Sequence, residues 1–293
     1  MRADVMNYRI VSAKLVLVWL FLFCHVAAAP TIVSAAATPV DAYLAVEGNS
    51  VIGGAYAVGG SWKTVNISQG IQVVTTNAHA LRGPVSVNGI EYSGASTQAL
   101  ELNDDAHGEY IQFSATANHP IISFGGFLNI GARTNYALLD MFYIDNTAGY
   151  PWLVAPQIIA DSASCAPCIQ LEGAVGYSTV HGNSKFPIQA GKTYWFSSKI
   201  DSTAGRLYLG IYDPDNNYAV VNENSITVDT AATSSKLVLR MGRQDAHTGN
   251  STQGSKSYMD NIIIDWTNHV YPLIPNAGTA AVKPRPPALL QVQ

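Results

Sequence analysis

Acid–base work on a glycosidic bond needs two carboxyl groups, in the retaining case roughly 5 Å apart. On a β-strand such a pair would sit two or four residues apart, on one face. The chain holds six glutamates, Glu47, Glu91, Glu101, Glu109, Glu172 and Glu223, and no two stand at that spacing. His79, His107, His119, His181 and His247 are scattered singly, so no Tyr–His pair suited to proton abstraction is marked out. No His-Glu-x-x-His occurs, and Gly176-Tyr177-Ser178 lacks the glycine that completes a nucleophile elbow. Familiar hydrolytic chemistry is not written in this chain.

Two oxygen-rich stretches remain. Asp213-Pro214-Asp215-Asn216-Asn217 begins like an EF-hand loop but has Tyr218 where the turn needs Gly and Asn224 where it needs Glu. Asp and Asn tolerate turn geometry, so an exposed polar hairpin turn is expected instead. Asp260 stands in an apolar strand-like run, and a carboxylate buried there must be paired, hydrogen-bonded or metal-bound. Aromatic rings give a flat apolar surface on which a sugar ring can lie while neighbouring polar groups bond its hydroxyls. Trp62 and Trp195 are candidates for this role, with Trp195 expected in the core. Trp152, in Gly149-Tyr150-Pro151-Trp152, and Tyr212, beside the Asp213 turn, are the expected exposed rings. The expected carbohydrate-binding set is therefore Tyr150, Trp152, Tyr212, Asp213, Asp215 and Asn216.

The ends of the chain suggest where such a surface would work. Arg2, Arg9 and Lys14 precede the apolar run 15–23, and small residues follow to Val33-Ser34-Ala35, the layout of a secretory signal peptide cleaved after Ala35. A membrane span needs roughly 20 apolar residues, and this run is far shorter. Residues 1–35 are read as the signal peptide, 36–270 as one β-sandwich domain, and 271–293, rich in proline, as a flexible tail. The expected location is secreted, periplasmic or cell-surface. Removing residues 1–35 takes away three bases and one acid, leaving 13 bases and 19 acids, net −6. That sign argues against nucleic acid as a partner. Cys165 and Cys168 are then the two cysteines left. A zinc site would need a second ligand pair, so a local disulfide is the plainer reading outside the cytoplasm, with thiol exchange as the alternative.

The elements that must position these residues are strands. Leu207, Leu209 and Ile211 share one face of 206–212, and Leu237, Leu239 and Met241 one face of 236–241. Tyr258, Asp260, Ile262, Ile264 and Trp266 are expected on one side of 258–266. Further strands are expected over 71–76, 98–102, 109–115, 126–130, 136–144, 169–180 and 193–200, rich in β-branched and aromatic residues. No window of helical periodicity follows the leader. Many strands without crossover helices mean an all-β, antiparallel sandwich or barrel.

Ala99-Leu100-Glu101-Leu102, then Tyr110-Ile111-Gln112-Phe113-Ser114, Gly191-Lys192-Thr193-Tyr194-Trp195-Phe196, the partner segment 205–212 and the closing Ser257–Ile264 follow one another in an order that resembles the concanavalin A-like, laminin G-like jelly roll. Residues 45–62 are similar to the opening of exported bacterial proteins of that superfamily. The resemblance implies a two-sheet antiparallel jelly-roll sandwich. It also implies a structural Ca²⁺, with Asp260 as a ligand and Glu47, near the amino-terminal start, as its partner. Retaining glycosidases of the superfamily carry Glu-x-Asp-x-Glu on one strand, which is absent here. The expected function is a non-catalytic, lectin-like module for a polysaccharide or cell-surface glycan. The alternatives are a glycosidase or lyase with an unfamiliar site, and a structural or adhesive surface protein.

Overall fold

The computed structural model describes residues 40–46, 55–65, 71–75, 85–92, 98–103, 109–131, 137–140, 142–146, 153–160, 165, 167–175, 178–181, 185–228, 237–243 and 256–275. The chain divides into 1–36 and 37–293, and all of these residues lie in the second unit. In chain order its strands are β1 (Ala42–Leu44), β2 (Tyr56–Ala57), β3 (Gly60–Val65), β4 (Ile71–Thr75), β5 (Val85–Val87), β6 (Ile90–Tyr92), β7 (Gln98–Asn103), β8 (Glu109–Ala115), β9 (Ile121–Ile130) and β10 (Ala137–Asp140). They continue as β11 (Phe142–Asn146), β12 (Leu153–Ala160), β13 (Cys168–Val175), β14 (Ser178–His181), β15 (Phe186–Pro187), β16 (Thr193–Asp201), β17 (Arg206–Asp213), β18 (Ala219–Thr227), β19 (Leu237–Arg243) and β20 (Lys256–Asp265).

Among the described residues these strands make two nine-stranded antiparallel sheets and the separate β5–β6 pair. The first runs β18-β17-β16-β9-β20-β1-β2, with β7 and β4 joined to the other half of the β20 edge. The second runs β14-β13-β12-β11-β19-β8-β3, with β10 beside β12 and β15 beside β13. The chain passes from one sheet to the other repeatedly, and β1 pairs with the last strand. Alternation drives this packing: Ile122, Phe124, Leu128 and Ile130 of β9, Phe196 and Ile200 of β16, and Leu207, Leu209 and Ile211 of β17 all point into the space between the sheets. There they meet Ile111 and Phe113 of β8 and Leu239 of β19.

Two expected strands are divided. The described residues of 136–144 fall in β10 and β11, and those of 169–180 in the antiparallel pair β13 and β14. In β20 the expected single face is also broken. Asn261 has φ 51°, and the pairing with β9 shifts between Asp260 and Ile263. The extra residue is a β-bulge, which reverses the alternation. Met259, Ile262, Ile264 and Trp266 therefore face the inter-sheet core, while Tyr258 and Ile263 pack on the outer side.

The outer side of the first sheet carries a second apolar layer. Tyr43, Phe127, Trp195, Tyr212, Tyr258 and Ile263 are covered by Val85, Val87, Ile90 and Tyr92 of the β5–β6 hairpin and by Leu273. Asn88 and Gly89, at φ 53° and 75°, make the tight turn of that hairpin. Leu273 and Ile274 belong to this layer. The Trp195 indole donates to the Leu273 carbonyl at 2.7 Å, and Leu273 N–H donates to Ser197 Oγ at 2.8 Å. A side chain at Gly125 would meet the Phe196 carbonyl at 2.6 Å and the Leu273 carbonyl at 3.4 Å, so glycine lets this closing strap lie close to the sheet.

Candidate functional site

The Asp213 segment is the hairpin turn between β17 and β18. Asp213 caps the short 3₁₀ turn Pro214–Asn216, one carboxylate oxygen accepting from Asp215 N–H at 3.0 Å. Its other oxygen receives Lys192 Nζ at 2.6 Å. Asn217 and Tyr218 take left-handed backbone, φ 49° and 56°, and Asp215 and Asn216 are exposed. Tyr212 is not an exposed ring. It is 0% accessible, and its hydroxyl donates to Glu223 Oε1 at 2.8 Å. The outer layer covers the position, so Tyr212 offers no face to a sugar. Burial, then the hydrogen bond to Glu223, pushes its phenol well above the usual range. Trp195 is buried as expected. Trp62 donates its indole N–H to the Tyr56 carbonyl at 2.9 Å and packs on Phe113. Tyr150, Trp152 and Glu47 lie outside the described residues. Cys165 and Cys168 are joined in a disulfide, their Cα atoms 4.9 Å apart.

Asp260 is fully buried. Its Oδ1 accepts from Val46 N–H at 3.0 Å and from Asn261 N–H at 2.8 Å. The carboxylate thus ties the bulge of β20 to the end of the first strand. Two N–H donors suit a backbone-capping carboxylate. Among the described residues no three His, Cys, Asp or Glu side chains gather at one place, and Glu47, the other expected calcium ligand, lies outside them.

A different constellation emerges beyond the covered part of the first sheet's outer face. Cross-strand pairing sets Lys199 opposite Tyr208 and Ser123, Tyr208 opposite Ser225, Asp201 opposite Arg206, and Glu223 opposite Gly210. These positions lie two apart along each strand, so their side chains share a face. Lys199 Nζ lies 4.4 Å from the centre of the Tyr208 ring and 5.5 Å from that of Tyr271. The Arg206 guanidinium lies 5.9 Å from the Tyr208 ring, and the two tyrosine rings are 5.6 Å apart. Arg206 Nη1 donates to Thr227 Oγ1 at 3.3 Å, and Nη2 donates to Ser225 Oγ. Lys199 also reaches Asp201 Oδ2 at 3.4 Å.

Lys199, Arg206, Tyr208, Ser225 and Tyr271 are half-buried, and Glu223 is exposed. Burial raises the Tyr271 phenol, helped by the negative charge of Glu223. At Asp201 burial acts upward, but hydrogen bonds from Thr203 and Ala204 and the charge of Lys199 outweigh it, holding the carboxyl below its usual range. Phenol, amine, guanidinium, hydroxyl and carboxylate groups thus meet on one partly open surface. The sequence signal for it is the polar half of the alternation whose apolar half is Leu207, Leu209 and Ile211.

No protein-family model matches the chain. No curated protein sequence matches it either. Among solved structures the chain is similar to the marine PL-14 alginate lyase from Aplysia kurodai, at TM-score 0.49 and 8% identity, over 78% of this chain and 99% of that one. It is similar to lectin II from Ulex europaeus at TM-score 0.39 and 10% identity, over 70% and 97%. It is also similar to the enzymatically active domain of bacteriophage CBA120 tailspike protein 2, at TM-score 0.40 and 11% identity over 68% of this chain, and spans 28% of that chain. Likeness at such identities concerns the fold and not the chemistry. With two large antiparallel sheets packed on a shared apolar core and repeated crossings between them, the chain is an all-β, antiparallel two-sheet sandwich.

Proposed function

We propose that this chain is an exported, non-catalytic module that binds carbohydrate through the Lys199–Arg206–Tyr208–Tyr271 face. The supporting observation is the convergence there of fixed, half-buried donors beside tyrosine rings, with Glu223 supplying an acceptor. Sugar hydroxyls are recognised by such pre-held polar groups set against an apolar surface. The alternative contact residues are those expected from the sequence, Tyr150, Trp152, Asp213, Asp215 and Asn216. A broad glycan array read with and without Ca²⁺ tests the proposal. The expected result is binding to a defined glycan class, weakened at least ten-fold by Lys199→Ala with Tyr208→Ala and unchanged by Trp152→Ala. An array without signal in either condition would sink it.

A polysaccharide-cleaving enzyme is the second reading, favoured by one observation: the Tyr208 ring lies beside the Lys199 amine and the Arg206 guanidinium, and tyrosines serve elsewhere as proton-transfer groups. Incubation with a polysaccharide panel, read as new reducing ends and unsaturated-uronate absorbance, separates it from pure binding.

A further inference from the structure

We infer that this face is built for an anionic glycan, one bearing carboxylate or sulfate groups, with Arg206 and Lys199 holding the anion. The inference rests on the carbohydrate-binding reading above. Its first support is the state of Arg206. Its guanidinium donates to neutral partners, Thr227 Oγ1 and Ser225 Oγ, and among the described residues no carboxylate pairs with it. A half-buried guanidinium held by hydroxyls is oriented but not neutralised, and its planar fork matches an oxyanion.

The second support is the state of Lys199. Its contact with Asp201 Oδ2 is long, at 3.4 Å, while the other oxygen of that carboxylate serves its own turn. Asp201 Oδ1 accepts from Thr203 Oγ1 at 2.6 Å and from Ala204 N–H at 3.0 Å. The third support is Tyr208. Both cations stand near its ring, at 4.4 and 5.9 Å, and Tyr271 stands beside it. The cation–π contacts hold the two charges against one tyrosine ring. They leave N–H donors, rather than bare ring surface, as what a ligand meets. A neutral sugar that binds by stacking finds little ring to lie on, whereas an acidic sugar finds two positive charges. Glu223, two residues along β18 from Ser225, supplies an acceptor for hydroxyls beside them.

The test is calorimetric titration of the full chain with three probes of equal length: a galacturonate hexamer, its carboxyl-reduced galactose counterpart, and a sulfated galactose hexamer. The expected result is that at least one anionic hexamer binds ten-fold or more tighter than the reduced one. Arg206→Gln with Lys199→Gln should abolish that preference, and Arg206→Lys should keep part of it. Which anion binds more tightly identifies the natural group. Equal affinity for the reduced hexamer overturns the inference and leaves carbohydrate binding standing. Failure of all three, together with a blank neutral-glycan array, overturns both readings. The comparison among probes uses the unmodified chain, so a misfolded variant cannot produce the preference or hide it.

Discussion

Replacing Asp260 by alanine removes the acceptor of two buried backbone donors, Val46 N–H at 3.0 Å and Asn261 N–H at 2.8 Å. Leaving a buried donor unsatisfied costs about 1–3 kcal/mol. Two of them, at a position with no accessible surface, put Asp260→Ala at about 2–6 kcal/mol. For a folded unit of this size each kcal/mol lowers the melting temperature by about 2–4 °C, so a loss near 3 kcal/mol shifts it by roughly 6–12 °C. Asp260→Asn keeps an oxygen that can occupy the same place and accept from both donors, and its cost should stay near 1 kcal/mol. Thermal unfolding followed by circular dichroism, with excess Ca²⁺ and with EGTA, measures both effects. If the carboxylate works as a backbone cap, alanine is far worse than asparagine, and the gap is the same in both solutions. A different pattern would refute the reasoning: a wild-type melting temperature raised several degrees by Ca²⁺, with that rise abolished equally by asparagine and alanine. Asp260 would then be a metal ligand, as the family resemblance implies.

Other consequences can be checked with less effort. Gly125→Ala places a methyl against the Phe196 carbonyl, a rigid backbone atom 2.6 Å away. It should destabilise the fold by about 1–3 kcal/mol in chemical denaturation, since overpacking of this kind forces backbone shifts. The Asp201 carboxyl is held below its ordinary value of 3.8. A depressed acid contributes stability that is present above its unfolded value and is lost as pH falls through the folded one. Acid unfolding below about pH 4 should therefore be less steep in Asp201→Asn than in wild type. Expression of the full chain in a secreting bacterial host, followed by amino-terminal sequencing of the released protein, should read Ala36 first. A product that still begins at Met1 removes the signal-peptide reading.

Much of the sandwich was legible because apolar alternation is a local signal. Leu207, Leu209 and Ile211, or Tyr194 and Phe196, reveal a buried face without knowledge of what covers it. The strand β18 was missed because it lies at a sheet edge, where Ala219, Val220 and Val221 are exposed and no alternation is imposed. In β12 the obstacle was Pro156, an unusual residue for an interior strand. It sits where the register with β13 shifts, between Val154 and Gln157, as the neighbour on the other side changes from β11 to β10. The turn Asn88-Gly89 is a readable hairpin signal, Asn-Gly being the dipeptide suited to two positive φ angles. The bulge at Asn261 was not readable, since one added residue reverses a face without altering composition. Tyr212 was misplaced for a related reason. Whether an aromatic on a sheet's outer face is exposed depends on a layer made by 85–92 with Leu273 and Ile274, far away in the chain. The Lys199–Tyr208 face needs the β16–β17 register before its charges can be seen to adjoin.

The most direct measurement is equilibrium binding of the full chain to the strongest array glycan, compared with the Lys199→Ala, Tyr208→Ala double variant at matched circular dichroism. The account predicts saturable binding to wild type, a loss of at least ten-fold in the variant, and no cleavage of the glycan. Equal binding by a well-folded double variant would place recognition elsewhere on the molecule and contradict the account.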